Sequence, residues 1–293
     1  MIPGVILEHL TNLRPGAEFT GSPPRVKSSD GGLFFVKVGS ASEAEQYAGE
    51  AESLKAIDAA APGLAPHVYV SGEDEDGRPY FVSDYLDFGP LSDKAGTELA
   101  KRLALELHQY TSEHGFGFHV PTYCGATRMK NGWYSTWQEC YSEMIKDLLG
   151  MLKSKGGRYS GLCSKGDKIV TSVIPKLLGS IHIEPALCHG DLWSGNAGSQ
   201  RSTGLPVVFD PSSYFGHSEL DLAIARIFGG FSSSFFETYH KYLPKTEPVD
   251  QYGLRAELYE MFHYLNHTVL FGGGYAGSAE RKMDVLLKAL PSI

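Results

Sequence analysis

One stretch limits what this chain can become. Residues 187–216 read Leu-Cys-His-Gly-Asp-Leu-Trp-Ser-Gly-Asn, a short spacer, and then Val-Val-Phe-Asp-Pro-Ser-Ser-Tyr-Phe-Gly. Asp191 is followed five residues later by Asn196, and then by Asp210 at the end of the apolar run Val207-Val208-Phe209. That run reads as a short strand that delivers Asp210. His-Gly-Asp alone could be a polar turn. The joint pattern of acid, amide and strand-terminal acid argues against so bland a reading.

The spacing His-x-Asp, four residues, Asn, and then an Asp closing a strand resembles the catalytic loop of the protein-kinase-like phosphotransferases. The resemblance implies a role for each residue type. Asp191 would orient an attacking hydroxyl and accept its proton, while Asn196 and Asp210 would hold Mg²⁺ on the phosphates of ATP.

Composition agrees with a globular enzyme and excludes other classes. The chain has 293 residues, enough for one large or two modest domains, with 42% hydrophobic and 20% charged residues. A formal charge of -8 without any Lys/Arg-rich run disfavours a nucleic-acid surface. No apolar run reaches the length of a membrane span, and the N-terminus lacks the pattern of a secretory signal. Cys124, Cys140, Cys163 and Cys188 are scattered, as expected of reduced thiols in a cytoplasmic protein. A monomer is expected.

Around the loop, the order of elements is legible in part. The first 30 residues are broken by Gly16, Gly21 and Pro23-Pro24 and yield no clear element. Residues 33–38 read as a strand that carries Lys37 between two valines. A lone strand Lys usually keeps its head in water; a phosphotransferase would use it on the α- and β-phosphates. A helix is expected over residues 41–59, with Tyr47, Glu50, Leu54 and Ile57 on one stripe. Glu43 lies on the same stripe but fits a capping box with Ser40. Glu50, in mid-helix on the apolar side, needs a cation, and Lys37 is the candidate. Residues 67–71 and 80–86 read as strands joined by a turn at 73–77. Asp87-Phe88-Gly89 spells a kinase metal motif but precedes the catalytic loop by a hundred residues, so it reads as a connector.

From residue 91 the periodicity turns helical. Trp133 and Trp137, four apart, read as one core-packed helical face. Residues 151–168 read as a loop, followed by a helix over 167–180. Further helices are expected over 220–228, 232–242, 252–271 and 280–290. The fold expected is α+β and two-lobed, protein-kinase-like. A small antiparallel sheet lobe (residues 1–87) binds nucleotide above a larger, mainly helical lobe (88–293) that carries catalysis and the acceptor.

More specific segments narrow the resemblance. His189-Gly-Asp-Leu-Trp-Ser-Gly-Asn196, Asp210-Pro-Ser-Ser-Tyr-Phe-Gly-His-Ser-Glu219 and Phe228-Gly-Gly-Phe-Ser-Ser-Ser-Phe235 resemble the fructosamine-3-kinase (ketosamine kinase) family. Supporting pieces include Phe35-Val-Lys-Val38, Gly49-Glu50, Phe116-Gly-Phe-His119 and Phe262-His-Tyr-Leu-Asn-His267. The resemblance implies transfer of the ATP γ-phosphate to the third-carbon hydroxyl of a ketosamine, on a protein lysine or a small amine, in deglycation. It also implies Asp84 and Leu86 as adenine-facing hinge residues and Asp221 as a brace of the catalytic loop. Trp193, His217 and Glu219 follow the reacting residues closely and suit a polar sugar; structural support of the loop is the alternative.

Two departures stand out. The family's phosphate-covering loop is usually glycine-rich, often with a cysteine. Here the corresponding region offers only Thr20, Gly21 and Ser22 as backbone donors and no cysteine, so redox control through that loop is not expected. After Asn266-His267, where many relatives continue Trp-Asn-His-Phe-Gly, this chain has Thr-Val-Leu-Phe-Gly, which leaves ribulosamine, erythrulosamine and fructosamine all open. The other readings are an aminoglycoside- or choline-type small-molecule kinase and a nucleotide-binding pseudokinase scaffold.

Overall fold

Alternation along the strands decides how the N-terminal third packs. In the computed structural model, which describes residues 1–293, helix α1 (Gly4–Leu13) precedes strands β1 (Phe19–Ser22), β2 (Arg25–Ser28) and β3 (Leu33–Val38). Helix α2 (Ala44–Ala60) and strands β4 (Val68–Glu73) and β5 (Pro79–Asp84) follow. The five strands form one antiparallel sheet in the order β1-β2-β3-β5-β4. Successive strand residues face opposite sides. Phe34 and Val36 of β3 therefore share a face with Tyr80 and Val82 of β5, packed against Ile6 and Leu10 of α1. The opposite face carries Phe35, Lys37 and Phe81, and α2 closes over it with Ala51, Leu54 and Ile57. Helix α1 and the β1–β2 hairpin fill the region that the sequence left unassigned.

The remainder is mainly helical around a single large core. Strand β6 (Phe88–Pro90) leads to α3 (Asp93–Leu105), the hairpin β7 (Thr122–Cys124) and β8 (Thr127–Met129), and α4 (Trp137–Ser154). Next come α5 (Ser160–Lys168), α6 (Ile174–Leu178), β9 (Ala186–Cys188), β10 (Ala197–Gln200), β11 (Pro206–Val208) and β12 (Tyr214–Gly216). The chain closes with α7 (Ser218–Ile227), α8 (Ser233–Tyr242), α9 (Tyr252–Phe271) and α10 (Gly274–Ala289). Strand β6 pairs with β10, so Asp87-Phe88-Gly89 is a connector into the helical lobe. No helix is long and apolar enough to cross a membrane.

Three expectations need correction. Trp133 and Trp137 share no helical face. Helix α4 begins at Trp137, which is buried, whereas Trp133 lies before it and is 39% exposed. Residues 151–168 are not a loop. Glycine and lysine there suggest one, yet Tyr159, Leu162, Cys163 and Gly166 are buried, and burial overrides weak propensity. The helix expected from 167 thus starts at Ser160 and continues through a π-turn (Ile169–Val173) into α6. Finally, α10 starts at Gly274, earlier than its charged residues suggested.

Candidate active site

The loop between β9 and β10 is held from below by one carboxylate. Asp221, in the first turn of α7, accepts hydrogen bonds from the backbone N–H groups of His189 (2.6 Å) and Gly190 (2.8 Å). It also pairs with His108 Nε2 at 3.2 Å. Burial pushes the Asp221 carboxyl up, but these donors outweigh it and hold the group below its usual value. Gly190 has φ +85°, and a Cβ there would collide with the Ser212 carbonyl oxygen, so the turn requires glycine. His189 accepts from the Asp191 N–H through Nδ1 (3.3 Å), which places its proton on Nε2, donated to the Phe209 carbonyl (3.1 Å). Burial keeps this ring below its ordinary pKa. His189 thereby ties the loop to the strand end that carries Asp210.

Above this support the acid, amide and ion-pair side chains converge. Asp191 is partly buried; burial, aided by the charges of Asp210 and Asp221, raises its pKa to about 6, against the Asn196 amide and the neighbouring Cys124 thiol. Asn196 Nδ2 donates to the Asp191 carbonyl (2.9 Å) and to Asp191 Oδ2 (3.1 Å). That leaves the amide oxygen of Asn196 for another ligand. Asp210 takes the left-handed conformation (φ +52°), uncommon for a non-glycine residue. Its side chain is 63% exposed. Lys37 Nζ lies 2.6 Å from Glu50 Oε2 and 4.0 Å from Asp210 Oδ1. Burial works to lower the Lys37 pKa, but Glu50 and Asp210 outweigh it and keep the ammonium charged. Glu50, mostly covered on α2, has its carboxyl pushed above the usual range by that desolvation, against the pull of Lys37. Glu43 is the helix cap, its Oε2 accepting from the Ser40 N–H at 2.8 Å.

Three cavities meet at these residues. One of about 410 Å³ is walled by Phe35, Phe81, Phe88 and Phe209 and edged by residues 83–86. It meets a polar compartment of about 290 Å³ at Asp210; there Lys37, Glu50, Asp191 and Asn196 also line the wall. A third, of about 440 Å³, shares Asp191 and Trp193 with the second and runs on toward Phe228, Asn266 and Tyr275. An apolar slot, a polar waist and an outer pocket thus follow one another, with Asp191 between the last two.

Of the remaining sequence candidates, some reach this cleft and others do not. Trp193 lines it, 40% exposed, with its indole over Gly195, where a Cβ would strike the ring. Asp84 and Leu86 edge the apolar slot. Asp84 is already engaged, its N–H with the His67 carbonyl and its carboxylate with the Tyr69 hydroxyl (2.6 Å); the Leu86 backbone makes no bond within the chain. Thr20, Gly21 and Ser22 line none of the three cavities. They pair with Lys27, Val26 and Arg25 in the β1–β2 ladder, and Pro24 is the residue of that hairpin that meets the cleft.

His217 and Glu219 do not face the acceptor side. His217 is 2% exposed, and its ring nitrogens bond the Tyr259 hydroxyl (2.7 Å) and the Thr246 hydroxyl (2.8 Å). Glu219 is clamped by Arg255, at 2.8 Å from Nε and 3.0 Å from Nη2, and by the Thr246 N–H at 2.9 Å. Strand β12 and α7 direct both side chains down into the helical core, toward α9, although the chain leaves the cleft only a few residues earlier. Cys124 was the residue missed. It lies against Asp191 at the tip of the β7–β8 hairpin, and nothing in its sequence neighbourhood marks it.

Comparison with known proteins places this arrangement. The family model for fructosamine kinase matches residues 24–289. The ketosamine-3-kinase of Mus musculus is 38% identical over 286 residues, spanning 89% of this chain and 90% of that one. The chloroplastic protein-ribulosamine 3-kinase of Arabidopsis thaliana is 37% identical over 265 residues, 89% and 78% of the two chains. A crystal structure of a candidate fructosamine-3-kinase from Thermobifida fusca has a TM-score of 0.78 at 26% identity over 94% of each chain. An aminoglycoside phosphotransferase solved with AMP-PNP and hygromycin B has a TM-score of 0.60 at 13% identity, covering 96% of this chain and 97% of that one, a likeness of fold alone. With residues 24–289 matched by the family model and 89% of its length aligned to a relative at 38% identity, this chain belongs to the fructosamine kinase family.

Proposed function

We propose that this protein transfers the γ-phosphoryl group of ATP to the third-carbon hydroxyl of a ketosamine, on a protein lysine or a small amine. The observation that carries this reading is the position of Asp191, the one ionisable side chain common to the polar waist and the outer pocket. ATP lies between a lobe of residues 1–87 and one of 88–293. Adenine fills the slot between Phe81 and Phe209, with the Leu86 backbone as its partner. Lys37, oriented by Glu50, holds the α- and β-phosphates.

The Asp210 carboxylate and the free amide oxygen of Asn196 form a hard oxygen donor set, which fits Mg²⁺. When bound, the ion neutralises phosphate charge. Asp191 receives the hydroxyl proton at a carboxylate oxygen as the new O–P bond forms and ADP departs. With a pKa of about 6 it is mostly ionised at neutral pH, the state a proton acceptor requires. The protein acts as a cytoplasmic monomer in the repair of glycated proteins.

The test is an assay with ATP and Mg²⁺ over ribulose-, erythrulose- and fructose-lysine, with choline and an aminoglycoside as controls. Formation of a 3-phosphate on at least one ketosamine is expected. Turnover of a control alone, or nucleotide binding without any turnover, would overturn the proposal.

A further inference from the structure

The β1–β2 hairpin turns through Ser22-Pro23-Pro24-Arg25. A loop that covers phosphates does so with backbone N–H groups, and proline has none. Pro23 and Pro24 therefore remove two donors from the turn, while Thr20, Gly21 and Ser22 pair in the ladder with Lys27, Val26 and Arg25. Gly21 closes the turn tightly, since at φ +100° a Cβ there would lie 2.6 Å from the Arg25 carbonyl oxygen. The tip is thus stiff and poor in donors. Whatever cover this hairpin gives a nucleotide must come from a side chain.

Register selects Arg25. Residues directly opposite in an antiparallel pair place their side chains on one face. Arg25 lies opposite Phe35, which walls the apolar slot, whereas Val26 lies opposite Phe34 and packs with it against α1. Arg25 therefore projects from the cleft-facing side of β2. Its guanidinium carbon sits over the ring of Tyr85, 4.8 Å from the centroid. Tyr85 follows β5 and lines the slot beside Leu86. The stack thus runs from the hairpin to the hinge edge of the slot. The acids of that edge are engaged elsewhere, Asp84 with the Tyr69 hydroxyl (2.6 Å) and Asp87 with Arg201 Nε (3.1 Å). The guanidinium is left to the aromatic face, an arrangement that favours one orientation of the tyrosine ring.

Resting on the kinase reading above, we infer that Arg25 is a positioning residue for the nucleotide. Stacked on Tyr85, it latches the β1–β2 hairpin to the hinge and holds the tyrosine ring against the nucleoside in the slot. Phe35, Phe81, Phe88 and Phe209 enclose the base, and the Arg25–Tyr85 stack closes the mouth beside them. The latch acts on the nucleoside and not on the phosphates, because Tyr85 lines the apolar slot and not the polar waist that holds Lys37. It supplies the cover that the proline-stiffened tip cannot.

The experiment measures Kd for adenosine, ADP and Mg·ATP by calorimetry on the full chain. Arg25 is exposed and Tyr85 half-buried, so their replacement leaves the core intact. Arg25→Ala should weaken all three ligands by the same factor, about two- to fivefold. In a Tyr85→Phe background, which keeps the ring, Arg25→Ala should still cost that factor; in a Tyr85→Leu background it should cost nothing further. Arg25→Lys, which keeps the charge but not the planar guanidinium, should fall between wild type and Arg25→Ala. In turnover assays the factor should appear in the KM for ATP and not in that for the ketosamine. A loss that grows from adenosine to Mg·ATP would make Arg25 a phosphate ligand and overturn the latch. So would an Arg25→Ala effect that persists in Tyr85→Leu, or one confined to Tm with all three Kd values unchanged. A wild-type protein that binds neither ADP nor Mg·ATP would instead overturn the kinase reading, and the latch with it.

Discussion

Replacing Glu219 separates a structural carboxylate from a substrate-binding one. Its two oxygens receive Arg255 Nε, Arg255 Nη2 and the Thr246 N–H, and Arg255 is fully buried. In Glu219→Ala the guanidinium keeps only the carbonyls of Thr246 (2.5 Å) and Pro248 (3.0 Å) as partners. Stranding a buried charge in this way costs about 3–5 kcal/mol. In a chain of this size each kcal/mol moves Tm by roughly 1.6 °C, so a fall of about 5–8 °C is expected. Thermal unfolding by circular dichroism reads the loss. Ketosamine KM, measured well below the new Tm, should stay within about twofold of wild type. The double variant Glu219→Leu with Arg255→Met should recover much of the Tm, because no charge is then stranded.

The same carboxylate predicts a pH dependence. Burial pushes Glu219 up, but Arg255 and His217 outweigh it, and its folded pKa lies below the ordinary 4.5. Its stabilisation is therefore fully present above pH 4.5 and is lost as pH falls through the folded value. Wild type should lose its Tm advantage over Glu219→Ala in that acid window. A variant with unchanged Tm and a selectively raised ketosamine KM would refute this reasoning and return Glu219 to the acceptor site.

Three further perturbations test the cleft. Asp191→Asn should lower kcat by about 10²–10⁴-fold while leaving ATP affinity near wild type by calorimetry; near-normal turnover would remove it as the proton acceptor. Asp210→Ala should abolish Mg²⁺-dependent nucleotide binding, read by calorimetry with and without the ion, whereas unchanged Mg·ATP affinity would reject it as a ligand. Lys37 and Glu50, 2.6 Å apart, should behave as one unit, so that the double alanine variant loses little more kcat/KM than either single one. Additive losses would make Glu50 an ordinary helix residue.

What the sequence alone determined is the local machinery. Asp191, Asn196 and Asp210 are legible because a short loop and a strand end fix their separation whatever surrounds them. Lys37 and Glu50 are legible because a period of two and a period of 3.6 turn both toward the same side, where a buried carboxylate requires a cation. Direction relative to the rest of the chain is different, because it depends on elements far away in sequence. Only six residues separate Asp210 from His217, yet Tyr259 of α9 and Thr246 of the segment before it draw the imidazole into the core. Glu219 goes the same way to meet Arg255. Cys124 reaches Asp191, and Asn266 reaches Cys124, only because the β7–β8 hairpin and α9 converge beneath the catalytic loop. Helix α5 forms in a glycine- and lysine-rich stretch because Leu149 and its neighbours bury one side of it. Spacing along the chain thus decided which of these groups can come together. Which of them line the cleft was decided by packing, since a buried polar side chain takes the partner that the tertiary fold brings within reach.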